Sequence, residues 1–200
     1  MLLETPRDHA YRVLGIFPHP RCVGHVVLDE RGLVPGGSFA CRTDRYAQLD
    51  ARRESLDRLF ERSVARFRPS VIVIVQARGS ASLEAMMVHA ISAAERTRLP
   101  LRIRYESGLA DLFVDDDADE YDQLGRSIAR VFFPELARRV QSWRRGGEAT
   151  RRRPRSAWKA AAGAVAVLAE TRPQAVMALA RAPLPVRLRS FIDLVSRHRI

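Results

Sequence analysis

Lysine is almost missing from this chain of 200 residues: of 34 basic side chains, 33 are arginine and one, Lys159, is lysine. Cysteine is nearly as scarce. Cys22 and Cys41 are too few for a disulfide framework and lack the spacing of a metal site. No apolar run approaches the ~18 residues that a membrane helix needs; the longest, Ala160 to Ala169, is ten residues of mostly alanine and valine. The opening Met1-Leu2-Leu3-Glu4 has neither the basic nor the apolar region of a signal peptide. These absences exclude a disulfide scaffold and a membrane-spanning chain, and lead us to expect a reduced, cytoplasmic protein. What is present suits one folded domain: 46% of the residues are hydrophobic and 7% aromatic, and a chain this long buries roughly 70% of its unfolded surface.

Charge is distributed unevenly. The net +11 arises almost wholly in the last third, where residues 138–200 carry 14 Arg and Lys159 against three acids. Residues 101–137 are instead net acidic, with four Arg against nine acids. Arg138, Arg139, Arg144, Arg145, Arg151, Arg152, Arg153 and Arg155 crowd around Gly146-Gly147, opposed only by Glu148. The preference for Arg over Lys is chain-wide and carries no message; the clustering does. Such a run neutralises phosphates with release of counterions, and each guanidinium forks onto phosphate oxygens. An acidic protein partner and a solvated surface are the lesser alternatives.

Hydrophobic periodicity orders the elements. Arg12 to Phe17 is a short apolar run closed by Pro18-His19-Pro20, hence a strand with an abrupt end. Val23 to Leu28 is a second strand, followed by turn chemistry at Asp29-Glu30-Arg31-Gly32, and Gly37 to Arg42 a third. Leu49, Leu56, Leu59, Phe60, Val64 and Phe67 recur at helical spacing until Pro69. Val71-Ile72-Val73-Ile74-Val75 has the continuous β-branched character of a strand covered on both faces. A helix over Ser82–Arg98 and an outer strand over Leu101–Tyr105 follow. The acids from Asp115 to Glu120 then open a helix through about Phe133, where they favour its dipole and read as a cap ahead of a metal site. Ser156–Glu170 is an alanine-rich helix, a short one begins at Pro173, and Val186–His198 is amphipathic. These spans predict a core over 11–137, an Arg-rich linker or basic segment over 138–155, and C-terminal helices over 156–200, of which 156–170 packs on the core.

Three meandering strands followed by alternating helices and strands is the order of the RNase H-like fold. The stretch Val13-Leu14-Gly15-Ile16-Phe17-Pro18, with Val23-Gly24-His25-Val26-Val27-Leu28-Asp29 after it, resembles the opening of RuvC-type Holliday-junction resolvases. In that family a "GIDPG" strand end leads into "TGWAVLD". Arg68-Pro69 through Val75-Gln76 is similar to the family's "kPdvvaIEq" strand, and Phe132 to Ala137 with Lys159 to Ala166 resembles its closing helices. The resemblance spans residues 11–168. It implies an α/β fold with a mixed five-stranded sheet (three antiparallel strands, then two parallel), helices on both faces and a helical C-terminal extension. It also implies carboxylates from three places holding two divalent metals, which clamp the attacking and leaving oxygens. Carried onto this chain, those places fall on Phe17, Val75 and Lys159, none a carboxylate; neither are Ile16, Pro18, Ile74 or Gln76. Lys159 either lends its ammonium in place of metal charge, holding a phosphate or backbone carbonyls, or is a snorkelling surface lysine.

Other constellations are weaker. His19 and His25 flank the first strand's end and are candidates for a pair, and Cys22 beside either imitates a nucleophile and base; the plainer alternatives are structural histidines and a buried thiol. Pro35-Gly36-Gly37-Ser38 is the one glycine-rich stretch that resembles the phosphate loops of sugar kinases and actin-like ATPases, and more simply a turn. Trp143 and Trp158 flank the arginines, suited to stacking bases or to anchoring the segment. The last helix, with basic flanks at Arg187, Arg189, Arg197, His198 and Arg199, closes the core, pairs with a partner or lies on an anionic surface.

The sequence thus points to a catalytically degenerate RuvC-like protein, a pseudoenzyme that binds nucleic acid (DNA ahead of RNA). It would do so without metal or cofactor, through Arg144, Arg145, Arg151, Arg152, Arg153, Arg155 and Lys159. The alternatives are an interaction scaffold with a protein partner for its basic tail, and a metal-dependent nuclease using relocated acids such as Asp111, Asp115 or Asp119. RuvC-like resolvases are dimeric; nothing in the sequence specifies a symmetric patch.

Overall fold

The computed structural model describes residues 10–42, 48–114, 120–134 and 148–198. β1 (Val13–Phe17), β2 (Cys22–Asp29) and β3 (Gly32–Arg42) come first, then α1 (Leu49–Phe67), β4 (Val71–Gln76), α2 (Ala81–Arg96) and β5 (Leu101–Tyr105). Among the described residues these are followed by α3 (Glu106–Phe113), α4 (Glu120–Val131), α5 (Glu148–Thr171), α6 (Pro173–Leu179) and α7 (Val186–Arg197). The five strands form one sheet in the order β3-β2-β1-β4-β5. β1 pairs antiparallel with β2 and parallel with β4; β2–β3 is antiparallel and β4–β5 parallel. The mixed α/β sheet expected from the sequence is therefore present, with the expected division into three antiparallel and two parallel strands.

Strand periodicity assigns the faces. Gly15 pairs with Val73 on β4 and with Val26 on β2, and Phe17 pairs with Gly24. A Cβ on Gly15 would lie 2.3 Å from the Ala160 carbonyl oxygen of α5, and one on Gly24 1.9 Å from that of Ser156. Residues sharing the Gly15 face thus meet α5, and those between them face α1 and α2. The alanine-rich stretch of α5 sits directly on the strands because both sides of the contact lack bulk. Ala160, Ala161, Ala162, Ala164 and Val165 are buried there. Every residue from Val71 to Val75 is buried, as a strand covered on both faces must be.

α1 ends where Arg68 turns left-handed (φ 47°) and its N–H bonds to the Val64 carbonyl at 3.0 Å, just before Pro69. The Arg12 guanidinium caps the same end, donating to the Phe67 carbonyl at 2.7 Å. At the far end of the chain, Leu188 and Ile192 of α7 are buried, so this helix closes the core with its apolar face.

Several boundaries differ from the sequence expectation. Pro35-Gly36-Gly37-Ser38 is not a turn: it lies inside β3, which begins at Gly32. Four residues of β3 bulge out opposite Val27, since Val26 pairs with Ser38 and Leu28 with Leu33. Gly36, at φ 72°, supplies the left-handed residue that such a bulge needs. α3 was not anticipated, being only two turns long and broken in pattern by Gly108. The Arg-rich stretch expected as a linker is helical from Glu148 onward, so Arg151, Arg152, Arg153 and Arg155 lie in the first turns of α5. Arg138, Arg139, Arg144, Arg145, Trp143, Asp115 and Asp119 lie outside the described residues.

Candidate functional site

β1, β4 and β5 run parallel, and the carboxyl ends of β4 and β5 open onto a cleft of about 620 Å³. This is where open α/β sheets generally take ligands. Its walls come from the β4 end (Gln76, Ala77, Arg78), the β5–α3 junction (Tyr105, Glu106, Ser107) and α5 (Trp158, Lys159). Leu124 and Gly125 of α4 complete it.

The three positions carried over from the resemblance converge beside this cleft. Ile16 pairs with Ile74 in the parallel register, which sets Phe17 and Val75 side by side at the strand ends. Across from them lies α5. The Lys159 ammonium sits 4.6 Å from the centre of the Phe17 ring, a cation–π contact. Val75 packs one turn further along, where a Cβ on Gly163 would be 2.5 Å from its methyl carbon.

Lys159 also forms an ion pair with Glu106 at the start of α3. Both side chains are largely buried, at 15% and 18% exposure, so water screens the pair weakly. Lys159 is therefore not the solvated, snorkelling surface lysine of the plainer reading. Glu106 was not singled out in the sequence. The only hint was an acid directly after the alternating strand Leu101–Tyr105; its partner is 53 positions away. A second ion pair, Arg104–Glu170, ties β5 to α5 behind the cleft.

The residue set does not fit a two-metal centre at these positions. A phenyl and an isopropyl group offer no ligand, and an ammonium repels a cation. Neither Gly163 nor Ser156, one turn to either side of Lys159, supplies a carboxylate. Among the described residues no group of three or more His, Cys, Asp or Glu side chains could hold a metal. Of the relocated acids, Asp111 is exposed and lies 3.8 Å from the Arg187 guanidinium.

The remaining candidates resolve toward structure. His19 and His25 do not pair. His19 stacks on Phe17 with centroids 6.1 Å apart, on the α5 side, and accepts the Arg21 N–H at 3.1 Å. His25 points to the opposite face, where its Nε2 meets Ser63 Oγ at 2.7 Å. Burial pushes its pKa from 6.5 down to about 4, against a smaller opposing effect of a backbone hydrogen bond. Cys22 is a buried thiol within β2. Trp158 is buried beneath Gly125, where a Cβ would be 2.8 Å from the indole. It anchors α5 to α4 as a buried wall of the cleft. The aromatic side chain open to the cleft is Tyr105, 60% exposed.

No protein-family model and no curated protein matches this chain. Solved structures do. RuvC of Thermus thermophilus in complex with a Holliday junction substrate superposes with a TM-score of 0.57 at 15% identity, covering 81% of this chain and 96% of that one. A second structure of Thermus thermophilus RuvC gives a TM-score of 0.56 at 15% identity, over 84% of this chain and 98% of the other. The yeast mitochondrial Holliday junction resolvase Ydc2 is similar at a TM-score of 0.49 and 12% identity, over 98% of this chain and 87% of that one. The chain has a RuvC-like RNase H-like fold.

Proposed function

We propose that this RuvC-like domain is a catalytically degenerate relative of the junction resolvases that binds nucleic acid, DNA before RNA, without a metal ion. The observation that carries the reading is the Phe17–Lys159–Glu106 contact, which sets an apolar ring and an internal ion pair where the resemblance expects metal-binding carboxylates. Removing acids from a cleft lowers its repulsion toward phosphate when no divalent ion is present to offset them. The net +12 of residues 138–200 supports a phosphate-binding surface, with Arg144, Arg145, Arg151, Arg152, Arg153 and Arg155 as its densest part. Lys159 is the contribution from the cleft. Binding of this kind follows backbone shape and charge, because no base-reading motif accompanies it. The junction held by the superposed Thermus thermophilus protein makes a four-way DNA junction the first substrate to try.

The test is fluorescence anisotropy of labelled duplex, single-stranded and four-way-junction oligonucleotides at two salt concentrations, with and without Mg²⁺. Salt-sensitive binding that ignores Mg²⁺, with no cleavage product on a gel, is the expected result. Binding that requires Mg²⁺, or cleavage lost on Asp111→Asn, would favour a nuclease with relocated acids. No binding to any substrate overturns the proposal and leaves the basic segment to an acidic protein partner, whose apolar-centred interface would respond little to salt.

A further inference from the structure

We propose that Glu106 is an internal competitor for Lys159: the cleft takes a phosphate group, and that phosphate displaces the Glu106 carboxylate from the ammonium. The idea rests on the nucleic-acid reading for the identity of the ligand but not for the existence of the site. Lys159 and Glu106 line one cleft of about 620 Å³, large enough for a nucleotide unit. The ammonium is fixed from two sides, by the Phe17 ring at 4.6 Å and by Glu106.

The contacts with Phe17 and Glu106 are unequal in kind. Phe17 is buried in β1 and cannot move without opening the core. Glu106 lines the cleft at the first turn of α3, between exposed Tyr105 and exposed Ser107, and its side chain keeps 18% exposure. A carboxylate and a phosphate present the same hard, anionic oxygens to an ammonium, so one can replace the other atom for atom. Arg78, exposed on the β4 side of the same cleft, supplies a second cation for the incoming group. Asp111 lines the cleft too, but its partner is Arg187. The device keeps Lys159 neutralised when no ligand is present, so that removing the competitor strengthens binding and removing the ammonium abolishes the gain.

Lys159 is the only lysine in the chain, so protein labelled with ¹³Cε-lysine gives a single side-chain signal that reports this site directly. The signal is followed during titration with inorganic phosphate and, separately, with the oligonucleotides used for anisotropy. Glu106→Gln should lower the phosphate concentration at half-shift by about fivefold, the scale of losing one partly screened ion pair. Glu106→Asp keeps the charge but shortens its reach, and should move the midpoint in the same direction. Asp111→Asn removes equal charge without touching Lys159 and should change it less than about twofold. In anisotropy, Glu106→Gln should tighten binding, and the Glu106→Gln/Lys159→Gln double variant should lose that gain. Equal effects of Glu106→Gln and Asp111→Asn, or a Lys159 signal indifferent to phosphate in both Glu106 variants, would overturn the gate. If oligonucleotides fail to bind while phosphate still moves the Lys159 signal more readily in Glu106→Gln, the gate stands and the nucleic-acid reading falls. If oligonucleotides bind but leave Lys159 unmoved in every variant, the nucleic-acid reading stands and the gate falls.

Discussion

His25 Nε2 and Ser63 Oγ meet at 2.7 Å in the core, joining β2 to α1 on the face of the sheet opposite the cleft. The pair has a consequence for acid stability. Burial holds the imidazole neutral, with its pKa lowered from 6.5 to about 4. The unfolded chain therefore takes up a proton near pH 6.5 that the folded chain refuses until about pH 4. Stability from this site is fully present above pH 6.5 and is lost as pH falls through that window. The loss amounts to about 3 kcal/mol once both states are protonated. Urea unfolding on either side of the window should show it. The His25→Gln variant should be less stable at neutral pH and have a flatter profile; an equally steep profile in the variant would assign the slope to another group.

The close seat of α5 on the sheet makes a second prediction. Gly24→Ala would drive a methyl carbon to within 1.9 Å of the Ser156 carbonyl oxygen, which is backbone and cannot rotate away. The helix must lift, and the cost should reach at least about 3 kcal/mol, the upper range of overpacking. Gly108→Ala is the matched control: an added Cβ there meets nothing within 4 Å. It lies in α3, so alanine should be neutral or stabilising by up to about 1 kcal/mol. Thermal melts of the two variants separate helix–sheet contact from any general intolerance of alanine.

How much of this was visible in the sequence depended on the range of the interaction. Val71 to Val75 announces a doubly covered strand because burial on both faces requires an unbroken apolar run. The antiparallel pairing of β1 and β2 and the outer position of β5 followed from similarly local patterns. The interior of β3 did not, because Pro35-Gly36-Gly37 has the composition of a turn, and only pairing with Val26 and Leu28 shows that it bulges within a strand. Phe17, Val75 and Lys159 could be aligned in advance by resemblance, yet their neighbourhood could not. That Lys159 would be matched by Glu106, and Trp158 buried under Gly125, depends on how α5 is set against α3 and α4. No periodicity encodes that placement.

Salt dependence tests the basic segment separately from the cleft. Each phosphate contact that releases a counterion adds about 0.9 to the slope of log affinity against log salt on duplex DNA. Replacing Arg151, Arg152, Arg153 and Arg155 together by alanine should therefore reduce that slope by as much as about 3 to 4, with weaker binding at every salt concentration. Anisotropy titrations across a salt series measure this directly. A variant with an unchanged slope would move the phosphate contacts elsewhere on the surface.

The Lys159–Glu106 pair also predicts how the fold responds to metal. Its positive charge is covalently part of α5, so the melting temperature should be the same in chelator and in Mg²⁺. Lys159→Met should be destabilising, because it leaves a largely buried carboxylate without its counter-charge. For a pair that keeps 15% and 18% exposure the loss should be about 1–2 kcal/mol, less than the removal of a fully buried partner costs. The Lys159→Met/Glu106→Gln double variant should recover part of it, since the stranded charge is then gone as well. A double-mutant cycle on unfolding free energies measures the coupling. If Mg²⁺ instead stabilised the wild-type chain, and Lys159→Met still more, a cation would be binding at Glu106, and the ion pair would not be substituting for one.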